Sequence, residues 1–91
     1  MAGSLRVVFL GRLAGTAGGG ERIWPPSGTL EAPIDGAAFI AALTHGDPDL
    51  AAALFQRSVR MIVNQQVTPR TGVLLHPGDV VAFAPPEVGD V

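Results

Sequence analysis

Two short β-branched runs, Val59-Arg60-Met61-Ile62-Val63 and Val80-Val81-Ala82-Phe83-Ala84, flank a stretch of turn chemistry and are closed by a proline pair. Each run is about the length of one strand and is bounded on both sides. Between them His76-Pro77-Gly78-Asp79 predicts a turn, with Pro presetting φ and Gly supplying φ > 0 without steric cost. Pro85-Pro86 must end the second strand, because neither residue can donate to a sheet ladder. The remainder, Glu87-Val88-Gly89-Asp90-Val91, lacks the apolar content to hold itself against a core. It is expected to be a mobile projection into solvent.

The rest of the chain supplies partners for this pair of strands. Leu5 to Leu10 reads as a buried strand, with Leu5, Val7 and Phe9 on one face and Arg6, Val8 and Leu10 on the other. Gly15 and Gly18-Gly19-Gly20 then predict a flexible hairpin loop. Glu21 to Trp24 follows as a second strand, antiparallel to the first and cut off by Pro25-Pro26, and Thr29-Leu30-Glu31 resumes it. Trp24 is expected to pack on the sheet, the commoner fate of a lone Trp than a partner surface. Asp35 is a good helix N-cap, Ile34 is placed to staple onto Phe39, and Ala38, Phe39, Ala42 and Leu43 predict the buried stripe. His45 and Gly46 end that helix. Asp47-Pro48-Asp49 starts a shorter one, whose apolar face is Leu50, Leu54 and Phe55.

Helices confined to one stretch between hairpins imply an α+β domain with the helices on one sheet face. Ninety-one residues suffice for one core, and 47% apolar with 15% charged residues argues against disorder. The six basic residues are all Arg, the net charge is −2, and no basic run exists, so no nucleic-acid partner is expected. The apolar run Val7-Val8-Phe9-Leu10 is too short for a signal peptide, and no stretch approaches a membrane span, so no membrane association and a cytoplasmic location are expected.

Internal catalytic chemistry finds no support. Without Cys there is no thiolate nucleophile and no cysteine zinc site. His45 and His76 lack a second ligand at metal spacing and read as cap and turn residues, so no metal site is expected. Ser4, Ser27 and Ser58 sit in no nucleophile elbow. Asp47 and Asp49 belong to a helix start, where carboxylates favour the dipole. The Gly-rich stretch lacks the Lys that a phosphate-cradling loop requires. Any chemistry this chain performs falls to its own C-terminal segment.

Val63-Asn64-Gln65, the Gly78-Asp79-x-Val81-Ala82-Phe83 run and Pro85-Pro86 with a glycine shortly after resemble the small subunit of molybdopterin synthase, a ubiquitin-like sulfur carrier related to the thiamine-pathway carrier. Phe9-Leu10-Gly11-Arg12-Leu13 is similar to the first strand and loop of the same family. The resemblance implies a ubiquitin-like β-grasp over residues 1–86, with a mixed sheet of four to five strands, one main helix and a short second helix. It implies that the first and last strands lie parallel at the centre, and that residues 87–91 form a flexible carrier tail.

The resemblance also implies partners: the large subunit of molybdopterin synthase and an adenylating activating enzyme. ATP would be used by that enzyme, and no cofactor would be bound by this chain. In the family, an apolar patch contacts both partners. By the two-residue period Leu10 and Ala84 point away from the core, and with Val67, Pro85 and Pro86 they are the expected partner-binding residues. Ala84 is small, which weakens the patch.

The family tail closes on two glycines, which carry the terminal thiocarboxylate. Here Gly89 matches the first, Asp90 replaces the second, and Val91 follows. A tail entering a narrow channel needs small residues with free φ. Asp90 brings a charge that is costly to desolvate and Val91 a stiff β-branched side chain, so Gly89-Asp90-Val91 is expected to work poorly as a carrier end. The alternative reading is a β-grasp binding module that keeps the docking surface without carrier chemistry.

Overall fold

The computed structural model describes residues 3–26, 28–30 and 32–85. The expected tail, residues 87–91 with Gly89, Asp90 and Val91, lies outside the described residues, as do Glu31 and the expected partner-binding residue Pro86.

The elements run β1 (Leu5–Phe9), α1 (Leu13–Ala17), β2 (Glu21–Trp24), β3 (Ile34–Asp35), α2 (Gly36–Leu43), α3 (Pro48–Leu54), β4 (Arg60–Val63), β5 (Gln66–Thr68), β6 (Leu74–Leu75) and β7 (Val80–Ala84). Five strands form one mixed sheet in the order β2-β1-β7-β4-β5. β1 and β7 are parallel in its centre, with Val7 opposite Val81 and Phe9 opposite Phe83, and the other pairings are antiparallel. This is the β-grasp arrangement expected above. A second ladder of two strands joins β3 to β6.

Alternation along the central strands decides which face meets the helices. Leu5, Val7 and Phe9 of β1, Met61 of β4, and Val81 and Phe83 of β7 are buried. From the helices they meet Phe39, Ile40, Leu43, Leu50 and Leu54. An aromatic row crosses this core: Phe83 stacks with Phe9 at 6.0 Å and with Phe39 at 6.5 Å, and Trp24 meets Phe39 edge-on at 5.2 Å. Trp24 is therefore a packing residue. Burying each such side chain contributes about 1.5–3 kcal/mol.

Four details differ from the sequence expectations. The predicted hairpin loop contains a helix, α1, closed by Gly18 in the left-handed region at φ 83°. Leu13 is buried and Ala14 and Ala17 pack on the core, which offsets the helix penalty of Gly15. Arg22 holds that helix end, donating from Nη2 to the Ala17 carbonyl at 2.8 Å while its guanidinium lies over the Phe9 ring.

The stripe of α2 is Gly36, Phe39, Ile40 and Leu43, whereas Ala38 and Ala42 are exposed. Ile and Phe remove far more apolar area from water than Ala, so they set the helix rotation. Phe55 is 49% exposed, because it lies about 140° round the helix from Leu50. The stretch between the two C-terminal runs holds β5 and β6 as well as turns.

The helix caps follow the expected chemistry. Asp35 Oδ2 accepts from the Ala37 N–H at 3.0 Å, and Asp47 Oδ1 accepts from the Leu50 N–H at 3.1 Å with Pro48 in the first turn. α2 ends at Leu43 with Thr44 as its C-cap, ahead of His45, and Gly46 then takes φ 80°. Arg70, in the loop between β5 and β6, reaches the end of α3 and donates to the carbonyls of Leu54, Gln56 and Val59.

Gly36 permits the closest approach in the domain's interior. A Cβ there would lie 2.5 Å from the Arg70 carbonyl oxygen and 3.1 Å from Met61 and Val73 side-chain carbons. Gly36→Ala is expected to destabilise by about 1–3 kcal/mol, since the obstacle is backbone with no rotamer to yield. Urea denaturation measures it, and an unchanged midpoint would mean that the Arg70 loop does not seat on α2.

Candidate docking face and tail exit

Two of the stretches that carry the family resemblance, Val63-Asn64-Gln65 and the start of the Gly78–Phe83 run, meet at one corner. Asn64 and Gln65 form the two-residue turn between β4 and β5, both with positive φ (49° and 73°), as a type I′ hairpin needs. Asn64 is held there by β7: its N–H donates to the Val80 carbonyl at 2.9 Å, and the Val80 N–H donates to its Oδ1 at 3.0 Å. Its amide nitrogen also donates to Asp79 Oδ1 at 3.0 Å. Asp79 Oδ2 accepts from the His76 N–H at 2.9 Å, with His76 Nδ1 at 3.9 Å. These side chains lock two turns together at the start of β7. Their arrangement is structural, and His76 is the turn residue it was expected to be.

Among the described residues the opposite sheet face carries no helix. The register places its side chains in rows. Glu21, Val8, Ala82, Ile62 and Val67 form one row across all five strands, and Ile23, Arg6 and Val80 form a second. Arg60 and Ala84 form a third at the end where β7 leaves the sheet. Leu10 stands at that same end, its N–H bonded to the Phe83 carbonyl at 3.0 Å. Val67, Ile23 and Leu10 are 61%, 51% and 41% exposed. The expected pattern of Phe9 and Phe83 inward with Leu10 outward holds; Ala84 and Pro85 are half-buried.

Leu10 and Ala84 therefore lie close together, with Pro85 directly after Ala84. Val67 shares their face but stands two strands from Ala84, roughly 10 Å across the sheet and one two-residue step along it. Val8, Ala82 and Ile62 fill the gap. The sequence pattern turns Val8 outward with Leu10, and the same period turns Ala82 and Ile62 outward as well, yet none of the three is among the expected partner-binding residues. Among the described residues, ion pairing on this face is limited to exposed Arg6 with exposed Glu21. That hydrogen bond and charge push the Arg6 pKa up, but solvent screening leaves such a pair little weight in stability.

Chemically this face presents apolar side chains with a charged fringe. Among the described residues no group of three or more His, Asp or Glu is placed to hold a metal ion. Among them, too, no helix is long and apolar enough to cross a membrane.

No known family profile matches the chain, and no curated protein sequence does. Solved structures do. Small archaeal modifier protein 1 from Haloferax volcanii aligns over 96% of this chain and 99% of its own, with TM-score 0.79 and 20% identity. The same modifier from Methanosarcina acetivorans aligns over 98% of both chains, with TM-score 0.72 and 18% identity. A candidate molybdopterin converting factor subunit 1 from Pyrococcus furiosus aligns over 94% of this chain and 100% of its own, with TM-score 0.71 and 20% identity. At these identities the likeness is one of fold. The chain is a ubiquitin-like β-grasp protein, built as both modifier and converting-factor structures are.

Proposed function

We propose that this protein is a β-grasp carrier that works through its C-terminal segment, and specifically the sulfur-carrying small subunit of a molybdopterin synthase in molybdenum cofactor biosynthesis. The observation that carries the proposal is an uncovered apolar sheet face that runs to the point where β7 leaves the domain. A partner seated on Leu10, Ala84 and Pro85 stands beside the start of residues 86–91. Docking would thus deliver the segment into the partner's site without any change in the domain.

The chemistry belongs to the partners. An activating enzyme joins the C-terminal carboxylate to the α-phosphate of ATP, releasing pyrophosphate. A sulfur nucleophile then displaces AMP and leaves a thiocarboxylate. The large synthase subunit receives the thiocarboxylate end and passes its sulfur to the pterin precursor. On this reading the protein works in the cytoplasm with both partners. The presence of Asp90-Val91 after Gly89 favours a second reading, a binding module with the same docking face and no sulfur transfer.

Leu10→Arg tests the face that both readings share. With the cognate large subunit, Kd is expected to rise at least about thirtyfold, the equivalent of about 2 kcal/mol, while the circular dichroism spectrum is retained. Unchanged binding would remove this face from the proposal.

A further inference from the structure

We infer that Gly11 is a positioning residue for the C-terminal segment: it lets Pro85 close against the β1–α1 turn and so sets the direction in which the chain leaves the sheet. Pro85 is the last described residue before that segment. A Cβ at residue 11 would lie 3.0 Å from Pro85 Cγ and 3.6 Å from Cδ, with no other neighbour within 4 Å among the described residues. Gly11 also has φ 56°, which an L side chain takes only under strain. Both features come from the same turn. The Leu10 N–H bonds the Phe83 carbonyl, so the β1–β7 pairing runs one residue past β1. The chain then bends at Gly11, and the carbonyls of Leu10 and Gly11 accept from Leu13 and Ala14 at 3.2 Å to begin α1.

The Pro85 ring, with its φ preset, thus rests on a backbone surface that has no side chain. A methyl group at residue 11 would press on that ring, which must give by a few tenths of an ångström and so change the direction in which Pro85 hands on the chain. The role of Gly11 in sulfur transfer rests on the carrier reading; its control of the exit direction does not.

The test is a cycle of Gly11→Ala, Pro85→Ala and the double variant, read in three ways. The φ strain alone should lower the thermal midpoint by about 4–8 °C in either background. Amide chemical shifts of residues 84–91 should move in Gly11→Ala and should scarcely respond to the same change when Pro85 is Ala. In the carrier assay with activating enzyme, ATP and a sulfide source, kcat should fall about tenfold or more in Gly11→Ala and by a larger factor than KM rises, because Leu10 and Ala84 keep their places while Pro85 moves.

Shift changes confined to residues 10–14 would overturn the assignment. So would tail shifts that are the same with and without Pro85. Should no chain be converted, with or without a restored glycine end, the carrier reading fails. The chemical shifts would still decide the role of Gly11.

Discussion

Phe83→Ala is expected to cost about 3–5 kcal/mol, the largest effect of any single truncation in this domain. Phe83 is fully buried on β7, and its ring lies between those of Phe9 and Phe39. Its removal opens a cavity bordered by a parallel strand on one side and α2 on another. Neither can collapse without breaking the β1–β7 or β4–β7 ladder. A small domain holds about 5–15 kcal/mol in total, so the variant should be near its unfolding transition at ordinary temperature. Phe55→Ala is the control: it removes an equal volume from an exposed site and should cost under about 0.5 kcal/mol. Equilibrium urea denaturation of both variants checks the pair. A loss below about 1 kcal/mol at Phe83 would place it outside the core.

The second large effect concerns the end of the chain. Replacing Asp90-Val91 by a single glycine should raise thiocarboxylate formation at least about a hundredfold with a cognate activating enzyme, ATP and a sulfide source. That is about 2.7 kcal/mol in the barrier. Drawing the Asp90 carboxylate into a narrow channel strips its water, and a buried charge without a partner costs at least this much. The β-branched Val91 adds bulk and stiffness. Intact mass reads the result as the gain of one oxygen-to-sulfur exchange. Equal conversion of the native and glycine ends would mean that the activating enzyme accommodates Asp90, and the steric and charge argument would be wrong. An inert glycine end on a chain that still binds the large subunit would favour the binding-module reading. Combined with the Leu10→Arg variant, the experiment separates loss of docking from loss of tail chemistry.

Several parts of this protein were written locally in its sequence. Asp35 and Asp47 start their helices by accepting from backbone N–H groups two and three residues on, so the chemistry is visible without a fold. The alternation Leu5, Val7, Phe9 and its counterpart around Val81 and Phe83 define an inner and an outer face for any sheet those strands enter. The outward direction of Leu10 followed from that period alone. The central pairing of β1 with β7 did not, because a parallel pair joins the two ends of the chain and leaves no local mark. The family resemblance supplied it, and the register bears it out.

What only the tertiary structure decided were outcomes in which distant groups overrule local preference. Gly15 and Gly18 argue against a helix, yet α1 forms because Leu13, Ala14 and Ala17 find apolar surface. Ala38 is a better helix former than Ile40, but Ile40 claims the core because burial scales with area. Asn64 and Asp79 stand 15 residues apart in the chain and share a hydrogen bond because β4 and β7 are neighbours. The joining of Val8, Ala82, Ile62 and Val67 into one surface needed the strand order, and the seat of Pro85 on Gly11 needed the β1 and β7 ends brought together. The sequence by itself determined which side chains face inward and where helices begin, since those depend on neighbours a few residues away. The fold determined which outward side chains adjoin and where the C-terminal segment departs, since those depend on contacts that loop closure alone brings within reach.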